Sequence, residues 1–196
     1  MFLIGAGGII GIVALIVLVL IIGYVISVYN QLVIMRNKVK NSWAQIDVQL
    51  KRRFDLIPNL VETVKGYASH EKDIFQEFAK ARGLYAQARQ SGSVAEASMA
   101  EQGVSGALSR LLVVQERYPE LKANDNFKDL MSQLKETEDK ISFGRQFYND
   151  TALKLNNKIE LFPSNVIANM FGFKHAEYFT VNDEKEREAV KVDFSN

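Results

Sequence analysis

Few side chains in this sequence could do chemistry, and their spacing argues against most of the chemistry they could do. His70 stands beside Glu71, but no second histidine follows four residues on, so two imidazoles cannot share a helix face as in a zinc protease. Both residues fall between two predicted helices and read as a solvated helix start. His175, near Phe173 and Tyr178, reads as a packed turn residue. Cysteine is absent, which removes thiol nucleophiles and thiolate metal ligands. Gly103-Val104-Ser105-Gly106 is a loose match to a nucleophile elbow, with its second glycine misplaced and no strand before it. Gly5 to Gly11 is glycine-rich like a dinucleotide loop, with the wrong spacing. Acid clusters such as Glu136, Glu138 and Asp139 fall on a long amphipathic segment and read as a solvated face. No catalytic residue, metal ligand or cofactor is expected, and the chain reads as a non-enzyme.

A second set of polar residues points to structure instead. Arg52, Arg53 and Asp55 surround Phe54, just ahead of Pro58-Asn59. Asp55 and Asn59 are four apart and share a helix face, where Asn59 can help satisfy groups freed by the proline. Arg145 lies beside an apolar stripe, and Asn149 and Asn156 are two helical turns apart on one face. A buried polar group without a partner costs roughly 1–3 kcal/mol. The expectation is an interhelix polar network joining Arg52, Arg53, Asp55, Asn59, Arg145, Asn149 and Asn156; the alternative is that these residues face solvent.

The elements that would position these groups begin with an apolar run. Ile9 to Tyr29 holds no charge and no proline, and a bilayer span needs roughly 20 such residues. No Lys or Arg precedes the run, its core is long, and it lacks a convincing cleavage site, so an uncleaved anchor is expected over a signal peptide. Arg36, Lys38, Lys40, Lys51, Arg52 and Arg53 follow it. The positive-inside rule then puts the N-terminus outside and the remainder in the cytoplasm. Gly7 and Gly11 form a small-xxx-small pair through which two membrane helices could pack.

Past the span, apolar residues recur at Val39, Trp43, Ile46, Leu50, Phe54, Ile57, Val61, Val64 and Ala68, in steps of three and four. Nothing between Tyr29 and Val39 breaks a helix, so span and stripe are expected to form one helix, about 90 Å long from Ile9 to Ala68. Pro58 predicts a kink or a boundary. A second helix, capped by Ser69, buries Phe75, Phe78, Arg82 (by its stem) and Tyr85, and ends at Ser91-Gly92-Ser93. A third runs from Val94 to Arg117, with Met99, Leu108, Leu111, Leu112 and Gln115 along its face, closed by Tyr118-Pro119. After a loop from Leu121 to Asn126, a three-four rhythm runs from Phe127 through Leu134, Ile141, Tyr148 and Leu155 to Ile159. Phe162-Pro163 stops it, and Ser164 is expected to cap a short helix to Met170. The tail reads as mobile from about Asn182.

The sequence therefore predicts an all-α fold, an N-terminal transmembrane helix continuing into an antiparallel long-helix bundle. The expected parts are 1–8 outside, 9–29 spanning, 30–181 the bundle and 182–196 a flexible charged tail. The formal net charge of +1 gives no bulk attraction to nucleic acid, and no nucleic-acid partner is expected. The basic residues beside the span could meet anionic lipid headgroups at about 1 kcal/mol each.

The run from Arg52 to Glu71, RRFDLIPNLVETVKGYASHE, resembles the central signature of the bacterial LemA family. So do Glu116-Arg117-Tyr118-Pro119, Leu121-Lys122-Ala123, Phe127 with Leu130 and Leu134, Arg145, Tyr148-Asn149, Asn156, Phe162-Pro163, and Phe171 with Phe173. The resemblance implies a single N-terminal span in the bacterial cell membrane, a cytoplasmic bundle of long helices and no established catalytic activity. The function expected is a membrane-anchored scaffold that forms homo-oligomers at the membrane. The alternative is an accessory or adaptor subunit, whose partner would be a membrane protein such as a metallopeptidase or a signalling protein. That alternative rests on what the resemblance implies rather than on residues of this chain.

Overall fold

A computed structural model describes residues 6–180. The proposed outer segment up to residue 5 and the charged tail 182–196 lie outside the described residues. Six α-helices follow one another: α1 (Ala6–Lys65), α2 (Lys72–Ser91), α3 (Val94–Val114), α4 (Pro119–Ala123), α5 (Asp125–Glu160) and α6 (Ser164–Met170), with a 3-10 turn at Gln115–Arg117. There is no strand among the described residues, and the all-α expectation holds. α1 is long and apolar enough near its start to cross a membrane, and none of its most apolar window is buried within the protein.

The described residues divide into two compact units, one made of 6–45 with Gln146–Ala176, the other of Ile46–Arg145 with 177–180. In the first unit, α1 and α5 run antiparallel: Ser42 meets Thr151 at 3.1 Å between hydroxyls, and Trp43 meets Tyr148 with ring centroids 5.7 Å apart. Val28, Leu32 and Val39 of α1 are buried, as are Ala152, Leu155 and Ile159 of α5 and Ile167 of α6.

In the second unit α2, α3 and α5 pack against α1. Its inward positions Ile46, Leu50, Arg53, Ile57, Leu60 and Val64 follow the three-four spacing of one helix face. Pro58 lies within α1, and no helix boundary forms there. Buried apolar residues on both sides of it, Phe54 and Ile57 before and Leu60 and Val64 after, hold the helix through the missing donor. α2 and α3 are antiparallel, joined through Gly92, whose φ of 69° is the left-handed conformation that a helix C-terminus favours and that glycine adopts freely. α5 returns along α1 so closely that a Cβ on Gly144 would stand 3.1 Å from Cγ1 of Ile46.

Several local expectations need correction. Ser69 does not cap α2, which starts at Lys72 with Glu71 at its cap position. The chain uses residues 66–71 to turn, pinned by fully buried Ala68, whose amide donates to the Val64 carbonyl at 2.8 Å. Ser164 is the first residue of α6 rather than its cap. Its hydroxyl lies 2.7 Å from the Lys158 carbonyl and 2.8 Å from that of Leu161, closing the end of α5 instead. Part of the supposed loop after Leu121 belongs to α4.

Met99 and Leu112 of α3 are exposed, while Ala97, Ala100, Glu101, Val104 and Ala107 are buried with Leu108 and Leu111. The buried face of α3 combines Val104, Leu108 and Leu111 with small residues, and the small ones set its distance from α2. Small side chains let α2 approach until a Cβ on Gly103 would lie 3.2 Å from that of Ala81. Larger side chains there would force the helices apart.

Candidate functional site

The most unusual side chain of the second unit is Arg53, fully buried at an inward position of α1. A charge there is tolerated only with an opposite charge and hydrogen bonds around it. α3 and α5 supply both. Arg53 Nη1 donates to Glu101 Oε1 at 2.7 Å and pairs closely with Glu138 Oε2. Its Nη2 donates to Ser105 Oγ at 3.1 Å. The Ser105 hydroxyl in turn lies 3.0 Å from Glu101 Oε1. Glu101 is as buried as the arginine, whereas Glu138 is 40% exposed and reaches solvent. Burial pushes the Glu101 carboxyl above the usual range, Arg53 pulls it down, and Glu138 adds to the rise.

Above this cluster lies a groove of about 580 Å³ between α3 and α5. Leu108 and Leu112 form one wall, Met131 and Leu134 the other, and Arg53, Ser105 and Glu138 line its polar end. The chemistry available is modest. Ser105 lies in the middle of α3 rather than on a strand-turn-helix elbow, and it accepts from a guanidinium instead of donating to an imidazole. Carboxylates are weak bases toward a hydroxyl, so the arrangement does not activate a nucleophile. It locks three helices together by charge. Among the described residues, no group of three or more His, Asp or Glu side chains could hold a metal ion.

The structure spreads the other residues expected in a network over several local contacts. Arg52 is exposed, with Nη2 3.6 Å from Glu136 Oε2, and Asp55 is exposed and paired with Lys51. Asn59 is exposed, and its backbone carbonyl accepts from the Thr63 hydroxyl at 2.9 Å. Arg145 and Asn149 are half-buried on α5. In the first unit, Asn156 is buried and pairs with Ala176 as one strand pairs with another: its Oδ1 accepts the Ala176 amide at 2.8 Å, and its Nδ2 donates to the Ala176 carbonyl at 3.0 Å. Gly7 and Gly11 both fall within α1. His70 is exposed, and His175 is exposed beside Glu160 at 3.4 Å.

Asn156→Ala removes both bonds to Ala176 and leaves two backbone groups short of partners. A loss of roughly 1–3 kcal/mol in unfolding free energy is expected. Hydrogen exchange is the sharper measurement, because the Ala176 amide should lose its protection while amides in α2 and α3 keep theirs.

The partners of Arg53 were not singled out from the sequence. Glu101 could have been found as the charged residue on a helix face otherwise made of Ala97, Ala100, Val104 and Ala107. Glu138 carries no such signal, because it borders the stripe of α5 at a position that solvent also reaches.

The sequence model of the LemA family matches residues 42–194, well over half of the chain. The chain belongs to the LemA family. Among LemA-related proteins, magnetosome protein MamQ 2 of Paramagnetospirillum magneticum is 30% identical over 174 residues, covering 77% of this chain and 64% of its own length. Magnetosome protein MamQ of Magnetospirillum gryphiswaldense is 28% identical over the same span and coverage. Protein LemA of Metamycoplasma hominis is 26% identical over 182 residues, 90% of this chain and 80% of its own. The chain thus spans less than two-thirds of the length of the MamQ relatives. The LemA match starts after the apolar run and takes in Arg53, Glu101, Ser105, Glu138 and Asn156. LemA membership and the long apolar N-terminal helix agree with a membrane-associated, non-catalytic protein.

Proposed function

We propose that the chain is a single-pass, non-enzymatic scaffold that forms homo-oligomers at the bacterial cell membrane, with 9–29 as the span and the helical domain from residue 30 in the cytoplasm. The observation that carries this reading is that the apolar run and the inward stripe of the bundle belong to one helix, α1. A tether serving a freely moving domain needs a flexible joint, and α1 has no such joint between Tyr29 and Val39. The cytoplasmic placement rests on the basic residues that follow the span.

The test has two parts. Native mass spectrometry of the full chain, extracted gently from membranes, is expected to give homo-oligomers. A strictly monomeric species in detergent and in native membranes removes the self-assembly, and a stoichiometric foreign protein favours the adaptor reading. A flexible insertion after Asn37 is then expected to reduce assembly while leaving the helical content intact. Unchanged assembly would make the span a simple tether.

A further inference from the structure

Apolar side chains also crowd the surface at the turn from α5 into α6. Phe162 is 83% exposed, Met170 64% and Leu161 62%, with Val166 and Phe171 also exposed. No charged residue occurs from Leu161 through Phe173. A contiguous exposed patch of this kind on a folded unit marks a contact surface. Its position says what it meets. Phe171 and Phe173 lie against Tyr29 of α1, with ring centroids 4.8 and 5.8 Å apart. Val28 and Leu32, on either side of Tyr29, are buried within this unit.

Tyr29 stands about 30 Å along the helix from Ile9, the thickness of the hydrocarbon core of a bilayer. Aromatic side chains favour that boundary, and Tyr24 and Tyr29 are both partly exposed there. Arg36 sits 5.3 Å from the Phe173 ring centroid, and Lys38 and Lys174 follow the apolar segments in sequence, with the charges suited to anionic headgroups.

We propose that the α5–α6 turn is a second membrane contact. Leu161, Phe162, Val166 and Met170 enter the interfacial layer of the same leaflet in which the span ends. The occupant of this apolar face is lipid, because the face continues the apolar surface of α1 at the level of Tyr29 rather than standing alone on the bundle. Amphipathic segments in this setting sink about 5–10 Å into the boundary between headgroups and acyl chains. The protein would then grip the bilayer at two places, which restricts its rotation about the span. The inference rests on the reading of 9–29 as a span.

The absence of cysteine allows a direct test with the full chain in liposomes containing phosphatidylglycerol. Single variants Phe162→Cys and Val166→Cys, labelled with an environment-sensitive fluorophore, are compared with Val19→Cys within the span and Phe147→Cys, about 20 Å back along α5 from its C-terminal end. With lipids brominated near the headgroup end of the chains, emission at positions 162 and 166 should be blue-shifted and quenched, while position 147 should be neither. Val19→Cys should be quenched by lipids brominated deeper in the chains. Failure at Val19 overturns the span itself. Quenching at Val19 with water-like emission at 162 and 166 overturns the second contact. Blue-shifted but unquenched emission at 162 and 166 overturns it too, in favour of a protein surface such as a second copy.

Discussion

Replacing Arg53 by methionine is expected to lower the unfolding free energy by about 3–5 kcal/mol, because it strands a buried carboxylate. Glu101 would keep only Ser105 as a partner at its depth, whereas Glu138 can turn to water. Denaturant titration of the full chain in detergent micelles gives the measurement. The double variant Arg53→Met/Glu101→Leu should recover much of the loss, since an apolar pair of similar volume often replaces a buried ion pair without penalty.

The pH dependence distinguishes a stranded charge from a simple packing defect. Burial already raises the Glu101 carboxyl in the folded protein, so the folded state binds its proton more tightly than the unfolded chain does. The stability tied to this group is therefore fully present below the unfolded value and falls as pH rises through the folded one. Removing Arg53 raises the folded value further and widens that window. The deficit of Arg53→Met relative to the unaltered protein should be large at neutral pH and shrink on acidification. A deficit that stayed constant with pH would point to lost packing alone.

Phe54→Ala is expected to cost a similar amount, about 3–5 kcal/mol, by a different route. Phe54 is buried on α1 and stacks on Tyr85 of α2, with ring centroids 4.2 Å apart and planes within 5° of parallel. Truncation opens a cavity in the contact between those helices and removes the stack. Tyr85→Phe keeps the ring and removes only what its hydroxyl donates to Asp47, to Oδ1 at 3.1 Å and to the backbone carbonyl at 3.4 Å. Burial, and then the nearby Asp47 charge, hold the Tyr85 hydroxyl far above the ordinary range, so it remains a donor. That variant should lose about 1 kcal/mol. Measured side by side by denaturant titration, the two variants separate ring packing from the hydrogen bond. Equal losses would mean that the polar contact dominates.

The long helices were legible in the sequence because their period is strong. The stripe from Val39 to Val64 and the one from Phe127 to Ile159 each bury one face, and both lie in helices that the structure contains. α3 was harder to read. Leu108 and Leu111 do face inward as expected, but the inward positions before them are largely alanines and one glutamate, which weigh little on a hydrophobicity scale, so the larger Met99 and Leu112 were wrongly added to that face. Helix starts were also misjudged at Ser69 and Ser164, where a serine before an apolar stretch serves a turn or the end of the preceding helix. Arg53 could be identified as a polar residue at a core position, but its partners lie 48 and 85 residues further on, at Glu101 and Glu138. A local pattern cannot join residues that far apart, and charge alone does not say which of several acids on a helix turns inward.

The pairing of α1 with α5 also sets a timetable for the making of this protein. The hydroxyls of Ser42 and Thr151 meet across 109 positions of sequence. At roughly 5–20 residues per second, the ribosome takes about 5–20 s to supply the second after the first. Throughout that interval the apolar face that α1 will later present to α5 has no such mate. The newborn chain therefore depends on whatever shields that face in the meantime.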